Sequence, residues 1–432
     1  MVSLQAAVLS VWAQDIPVYQ LESNVLPGMN TPRMSHVSFS TPDGDIVVVG
    51  GHTTSFSLTP TAERLHNGAW ENIDIENAHD YAAVAMMPDG RVMLAGGTSG
   101  GGGYGYTHYC DIYDPSTNTF TTTGNMINQR SLCSAIATGV NNDIIVSGNW
   151  YANDESFDLW SNGSCTQFGS KSVQMHFPHM VSNNQGTVYV FGSHDIYGSL
   201  QATTLYKVNT IDKTVETVDD GLLSNYVINP ASYGVPFASS VTSTGDYLFI
   251  GTQDGQYDLL AFNATTGTFR KLITITPPEY ITTDGRDFIL FTNVLVNNDR
   301  HEAYIAANIQ KDKRCLIIFN YDIEANSLSA YYGDDIEDIP YWGCSWAINP
   351  TNQQIVMTGG TLIGSNFDAN SFAISLSPFG GTMVLNPEAS IGTIQNHLYD
   401  NGIWYTADGR RLNCKPEQKG VYIHNGSKVI IK

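Results

Sequence analysis

The stretch IVVVGG, which covers Ile46–Gly51, is apolar at four successive positions and ends in two glycines. A strand that is apolar on both faces needs cover on both faces, and terminal glycines let the backbone bend where neighbouring strands crowd. Comparable runs recur at intervals of roughly 50 residues, a period that indicates propeller units of four strands each. The seven runs are Ile46–Gly51, Val92–Gly97, Ile144–Gly148, Val188–Gly192, Tyr247–Gly251, Ala303–Ala307 and Ile355–Gly360.

Each run is predicted to be the second strand of its unit, because a shorter strand and a turn precede it. These first strands are clearest at Val37–Phe39, Ala82–Met86 and Ala238–Val241. A second hairpin completes the unit, with a turn cluster between a strand and an aromatic residue. The second hairpins are Leu65–Trp70, Ile112–Phe120, Phe157–Cys165, Tyr206–Val215, Leu260–Phe269 and Phe319–Leu328.

The two ends of the repeat predict how the ring closes. The seventh unit has three strands, at Cys344–Ala347, Ile355–Gly360 and Ser371–Leu376, and a Pro-Phe-Gly-Gly segment stands where a fourth would follow. Because an open strand edge invites pairing with other chains, a closed ring needs a strand from elsewhere. We predict that Val18–Glu22 is the outermost strand of the last unit, beside Ser371–Leu376.

Composition and charge support an all-β chain and exclude some partners. The chain has 40 Gly, 23 Tyr and 17 Phe, and only 14% of its residues are charged, which suits short strands joined by tight turns. A formal net charge of -21 repels phosphate backbones, so no nucleic acid partner is expected. We expect a monomer without a transmembrane segment.

The units resemble those of the kelch family. Kelch units pair a diglycine after the second strand, here Gly50-Gly51 and Gly96-Gly97, with an aspartate-proline turn such as Asp114-Pro115 and an aromatic such as Phe120. The resemblance covers roughly residues 17 to 382 and implies a seven-bladed β-propeller with a central channel. This fold is also used by galactose oxidase and by sialic acid mutarotases, but likeness of fold does not transfer an activity.

The chain termini differ from the repeat. Leu4–Ala13 is apolar but too short to span a bilayer, and small residues precede Gln14 as at a signal-peptidase site, so we expect a protein that is secreted, periplasmic or on the cell surface. Residues 398–432 predict three short strands and resemble the tail of exported Bacteroidetes proteins, in which a longer version is a sorting domain. The predicted domains are a signal remnant at 1–13, the propeller at 14–384 and a β-tail at 385–432.

Standard catalytic and metal motifs are missing from the sequence. There is no GxSxG, HExxH, P-loop or Rossmann pattern, and Pro178 prevents a helix that would align His176 with His179. His108, Tyr109 and Cys110 are residue types that galactose oxidase uses around copper, but that family's partner motifs are not recognisable. The six scattered cysteines contain no CxxC pair, and both disulfides and buried thiols remain open. We therefore expect no metal and no cofactor, and identify no catalytic residue.

The residue before each first strand forms a column near one mouth of the predicted channel. Arginine binds carboxylates in a bidentate manner and aromatic rings stack on sugars, so this column suits an acidic sugar. A structural alternative is that the arginines bond neighbouring loops. The predicted ligand-binding residues are Arg33, His79, Arg130, Gln174, Tyr233, Arg286 and Trp342.

The leading functional hypothesis is a non-catalytic propeller that binds a glycan or a protein at the channel mouth. The first alternative is a sugar-active enzyme, such as a mutarotase-like epimerase, a lyase or a hydrolase, in which His79 or a channel carboxylate moves protons. The second alternative is an architectural envelope protein. A carboxylate pair at the mouth would favour the enzyme, and a mouth filled by its own loops would favour architecture.

Overall fold

The computed structural model describes sixteen segments of the chain, and the signal-like segment Leu4–Ala13 lies outside them. None of the helices in the described segments is long and apolar enough to cross a membrane. The segments are 16–53, 57–99, 105–149, 156–170, 175–192, 203–228, 235–276, 287–310, 314–333, 343–360, 371–375, 404–406, 411–412, 416, 418–424 and 427–431.

The described chain is built from β-strands joined by turns. It begins with β1 (Val18–Gln20) and β2 (Glu22–Leu26). The first two sheets contain β3 (Val37–Ser40), β4 (Ile46–Val49), β5 (Ala62–His66) and β6 (Ala69–Ile73), then β7 (Ala83–Met86), β8 (Val92–Ala95), β9 (Cys110–Asp114) and β10 (Thr119–Thr122). The third and fourth contain β11 (Ser134–Ala137), β12 (Ile144–Ser147), β13 (Phe157–Ser161) and β14 (Ser164–Phe168), then β15 (His179–Ser182), β16 (Thr187–Gly192), β17 (Thr204–Asn209) and β18 (Thr214–Val218).

The later sheets follow the same plan. The fifth contains β19 (Val227–Ile228), β20 (Asp246–Gln253), β21 (Gln256–Asn263) and β22 (Thr268–Ile275), with 3-10 turns at Leu223–Asn225 and Phe237–Ser240 beside it. The sixth and seventh contain β23 (Asp287–Asn297), β24 (Glu302–Gln310), β25 (Arg314–Asp322) and β26 (Ser327–Gly333), then β27 (Ser345–Ile348), β28 (Ile355–Thr358) and β29 (Ser371–Ser375). A separate C-terminal sheet contains β30 (Trp404–Thr406), β31 (Arg411–Leu412), β32 (Gly420–His424) and β33 (Ser427–Ile431).

The predicted all-β propeller class is confirmed. Within each of the seven sheets formed from β3 to β29, consecutive strands pair antiparallel, and first strands of neighbouring sheets pack side by side, as β3 does against β27 and β7 against β11. The second strands lie where the apolar runs predicted them, and β4, β8 and β12 are buried along their whole length. The first and last sheets meet directly, since the Ser38 hydroxyl donates a hydrogen bond of 2.7 Å to the Ser345 hydroxyl.

One predicted strand and one predicted number of strands are wrong. Ala238–Val241 is largely a 3-10 turn, in which the Ser239 amide donates to the Pro236 carbonyl, and β19 is the short first strand of the fifth sheet. Alanine and serine have little intrinsic strand preference, so Pro236, at the start of the turn, favours it over a strand. The C-terminal tail has four strands, not three, because β31 adds a short partner beside β30.

The N-terminal strand prediction is also wrong in its register. Val18–Gln20 pairs in parallel with β26 of the sixth sheet, and β2 takes the outermost place beside β29 of the seventh. Leu21 lies between the two strands and is buried against Tyr331 and Trp346. The segment therefore fastens the outer edges of two neighbouring sheets, where we had expected it to complete only one.

We expect Leu21→Ala to lower the free energy of unfolding by about 3 kcal/mol, because it removes a buried side chain where two sheets meet. Val25→Ala is the control, since the Val25 side chain on β2 is 72% exposed, and it should change stability by less than about 0.5 kcal/mol. Guanidinium unfolding of both variants measures the difference. Equal effects would show that the segment does not fasten the sheets through Leu21.

Candidate functional site

The predicted column of residues joins neighbouring sheets through its backbone. The Gly51 amide donates to the His79 carbonyl at 2.9 Å, the Gly97 amide to Arg130 at 2.7 Å, and the Gly360 amide to Arg33 at 2.8 Å. In each case the amide follows a second strand of one sheet, and the carbonyl precedes the first strand of the next. The diglycines permit this approach, because a Cβ on Gly50 would collide with the His79 carbonyl.

The column side chains of the first three sheets bond to carboxylates of their own sheets. Arg33 Nη2 lies 2.6 Å from Glu63, His79 Nε2 lies 2.7 Å from Asp111, and Arg130 Nε lies 2.7 Å from Asp158. All three column side chains are completely buried. Their polar ends therefore do not reach a ligand in this structure, and they hold strands together instead.

Backbone carbonyls take up the remaining donors of these groups. Arg33 also donates to the carbonyls of Gly50 and Thr61, and His79 Nδ1 lies 2.9 Å from the Gly96 carbonyl. Burial lowers the pKa of Arg33 although Glu63 opposes the shift. Burial alone would raise the pKa of Asp111, but hydrogen bonds led by that with His79 leave it below its usual value.

The fourth member of the column is displaced by one residue. The Met175 carbonyl accepts from the Asn149 amide at 3.1 Å, which is the same inter-sheet bond, so Met175 occupies the position that we assigned to Gln174. Gln174, Tyr233, Arg286 and Trp342 lie outside the described residues. A ligand-binding role for these four stays a prediction.

A second buried polar group, which the sequence analysis missed, joins the first and second sheets. Asp80 accepts from Thr98 Oγ1 at 2.8 Å, and its other oxygen lies 2.8 Å from His52 Nδ1. Burial raises the pKa of Asp80 despite both hydrogen bonds. All three side chains are fully enclosed, so the group stabilises the contact between sheets and offers no open site.

His36 lies at the contact between the first and last sheets. Its Nε2 is 2.8 Å from Thr358 Oγ1 on β28, while its Nδ1 has no partner among the described residues. Burial, reinforced by the charges of Arg33 and His52, lowers the pKa of His36 well below its usual value of 6.5. The ring is therefore neutral in the folded protein near neutral pH.

The described cysteine thiols have low reactivity. Cys110, Cys133, Cys165 and Cys344 are free thiols, and the Cys315 and Cys414 side chains lie outside the described residues. Burial raises the pKa of Cys133 to about 11 and those of Cys165 and Cys344 to about 12. Because the thiolate is the reactive form, these side chains fill the core and are poor nucleophiles.

A cavity of about 210 Å³ opens at the opposite end of the ring from the column. It lies where the last residues of β3, β23 and β27 meet the 3-10 turn of the fifth sheet. Three residues of its lining are apolar, namely Val296, Ile348 and Pro350. The polar lining is Ser40, Ser239, Asn297, Asn298, Asp299 and Gln353.

The polar lining is fixed by its own hydrogen bonds. Asn298 Oδ1 accepts from the Ser243 amide at 2.6 Å, and its Nδ2 donates to the Val241 carbonyl at 3.1 Å, which joins the sixth sheet to the fifth. Gln353 Nε2 donates to the Pro350 carbonyl at 2.7 Å and to Asp299 Oδ2 at 3.1 Å, which joins the seventh sheet to the sixth. These cavity residues look like ordinary turn formers in the sequence, so no motif pointed to them.

Comparison with solved structures finds a similar fold in a fungal alcohol oxidase of the AA5 family, solved in complex with copper. The TM-score is 0.56 at 12% sequence identity, and the match covers 84% of this chain and 79% of that one. Similarity at this identity shows the propeller fold alone. No family model and no curated protein matches the sequence.

The copper-associated residue types of this chain do not converge. Tyr109 is 41% exposed, whereas the neighbouring Cys110 is completely buried between the second and third sheets. The described segments contain no group of three or more His, Cys, Asp or Glu side chains that could hold a metal. The described residues therefore do not fit a copper site built around His108, Tyr109 and Cys110.

We expect Arg130→Met to lower the free energy of unfolding by about 3 kcal/mol or more, because it leaves Asp158 buried without its charge partner. Arg91→Met is the control: its pair with Asp89 has the same length of 2.7 Å, but both side chains are about one-third exposed. Its loss should cost less than about 1 kcal/mol. Chemical denaturation checks both values, and a small effect for Arg130 would leave that side chain available for another role.

Stability should fall in acid partly because of His36. Its pKa is depressed in the folded state, so below pH 6.5 the unfolded chain binds one more proton, and stability is lost by about 1.4 kcal/mol per pH unit. His36→Gln should remove this contribution between pH 6 and 5. The comparison variant is His66→Gln, which removes an imidazole that is 39% exposed. Urea unfolding at several pH values measures both variants, and an equal loss of slope in both would contradict the assignment to His36.

Proposed function

We propose that this propeller is a glycan-binding protein whose channel cavity takes one sugar ring. The observation that carries the proposal is the cavity of about 210 Å³ with its amide and hydroxyl lining. Amides and hydroxyls both donate and accept hydrogen bonds, as sugar hydroxyls do. The cavity is smaller than the roughly 300–1,000 Å³ of a drug-sized pocket, which suits a single small unit.

The arrangement of the lining supports binding. Four of the seven sheets contribute residues to the cavity, so its shape is set by the ring itself. The backbone at Gln353 has a φ of 62°, an uncommon conformation for a non-glycine residue, and it places the amide across the gap to Asp299. A site held in this way loses little conformational entropy when a ligand binds.

Binding is favoured over turnover because the described lining holds one carboxylate, Asp299, and no histidine. General acid-base chemistry on sugars commonly uses two carboxylates that flank the reacting bond. We further propose that the units are of kelch type and that the chain is exported, as the diglycine units and the apolar segment Leu4–Ala13 suggest. A glycan on the outside of a cell would then be the ligand.

Calorimetry with a panel of neutral monosaccharides and short glycans tests the proposal. Gln353→Asn keeps an amide and tolerates the positive φ, but its shorter side chain cannot span to Asp299, so we expect about ten-fold weaker binding. The matched control is Gln185→Asn, in the exposed turn between β15 and β16 of the fourth sheet. Its affinity should equal that of the wild type.

Two outcomes would overturn the proposal. If no sugar on the panel binds the wild-type protein, a glycan-binding function is wrong. If a sugar binds but Gln353→Asn has wild-type affinity, the ligand lies somewhere other than this cavity. Conversion of the bound sugar, followed by NMR, would favour the enzymatic alternative.

A further inference from the structure

The hydrogen bonds inside the cavity determine which atoms remain for a ligand. The Asn298 amide is bound to backbone groups of the fifth sheet, through its oxygen and through one N–H of its nitrogen. The Asn297 amide is also used, since its oxygen accepts from the Arg300 amide and its nitrogen donates to the Tyr304 hydroxyl. These two amides shape the wall, and each side-chain nitrogen keeps one further N–H, which is a neutral donor.

Gln353 and Asp299 each leave an acceptor atom for a ligand. Gln353 donates both N–H groups of its side-chain amide, to the Pro350 carbonyl and to Asp299 Oδ2, and its own oxygen is left without a partner among the described residues. Asp299 likewise keeps one carboxylate oxygen unpaired within the described part of the chain. The Ser40 and Ser239 hydroxyls can donate or accept.

The charge of the lining agrees with this inventory. Asp299 is the charged side chain of the described lining, and no lysine or arginine accompanies it. Arg300 follows Asp299 in the sequence, but its guanidinium is paired with the Glu302 carboxylate at 3.0 Å. A carboxylate sugar would place its charge near Asp299 without a cation to balance it.

On these grounds we infer that the cavity selects its sugar by charge, accepting neutral and amino-bearing rings and rejecting uronic acids, with Asp299 as the residue that determines this specificity. The inference rests on the proposed glycan-binding function. It replaces the acidic sugar that the sequence column suggested, because Arg33 and Arg130, the arginines of that column that the structure describes, are buried at the other end of the ring.

Three sugars of similar shape test the inference: glucosamine, N-acetylglucosamine and glucuronate, each titrated into the full chain by calorimetry at physiological salt. Glucosamine should bind about five-fold tighter than N-acetylglucosamine, and glucuronate more weakly than both. Asp299→Asn keeps an oxygen that can accept from Gln353 but removes the charge. This variant should lose the five-fold preference and gain affinity for glucuronate.

The control is Asp43→Asn, which removes one negative charge from an exposed turn at the same end of the ring but outside the lining. It should leave all three affinities unchanged. Equal or tighter binding of glucuronate by the wild type, or the same change in both variants, would overturn charge selection by Asp299. Failure of all three sugars to bind would instead refute the proposed function.

Discussion

The fold depends on one repeated contact, the backbone hydrogen bond between the end of a second strand and the residue before the next sheet. It needs a glycine where the two backbones approach, as at Gly50 and Gly96, since a Cβ there would press on the carbonyl opposite. In the first three sheets the residue before the first strand is a buried Arg or His, and its side chain bonds to a carboxylate on the third strand of the same sheet. Each link therefore combines a backbone bond between sheets with a buried side-chain bond to a carboxylate inside one sheet, which is an ion pair at Arg33 and Arg130.

Buried ion pairs of this kind serve geometry more than stability. Desolvation of both charges offsets much of their attraction, whereas loss of one partner leaves an expensive uncompensated charge. The pairs thus discriminate strongly against a misplaced strand. In the fourth sheet Met175 replaces the cation, and β17 correspondingly has no acidic residue.

The sequence was sufficient to predict the order of the strands and their grouping into sheets, but not to predict the functional site. The all-apolar second strands had one sensible interpretation, because a strand such as β4 can be covered on both faces only inside a stack of sheets. The column around Arg33 and Arg130 was correctly aligned, but alignment does not show burial. A signal was present in Glu63, Asp111 and Asp158, which occupy the second position of the third strand in those units whose column residue is Arg or His.

The cavity could not have been found from sequence, for a different reason. Its residues come from the ends of first strands and from turns, where serine and asparagine are expected on conformational grounds alone. Which of these turns face one another depends on ring closure, and closure depends on the N-terminal segment, whose two strands attach to the sixth and seventh sheets. The register of that segment was the least determined part of the prediction.

The two ends of the ring are held together differently, and this difference explains where a ligand fits. At the column end, fully buried charges such as Arg33 and Glu63 occupy the space between strands. At the turn end, neighbouring sheets are joined by hydrogen bonds of side-chain amides, such as that from Asn349 Nδ2 to the Gly44 carbonyl at 2.7 Å. Such bonds bridge a gap without filling it, so space remains at the centre. Because the same amides fix the walls of that space, the ring can hold a small polar ligand there without rearranging the contacts that keep it closed.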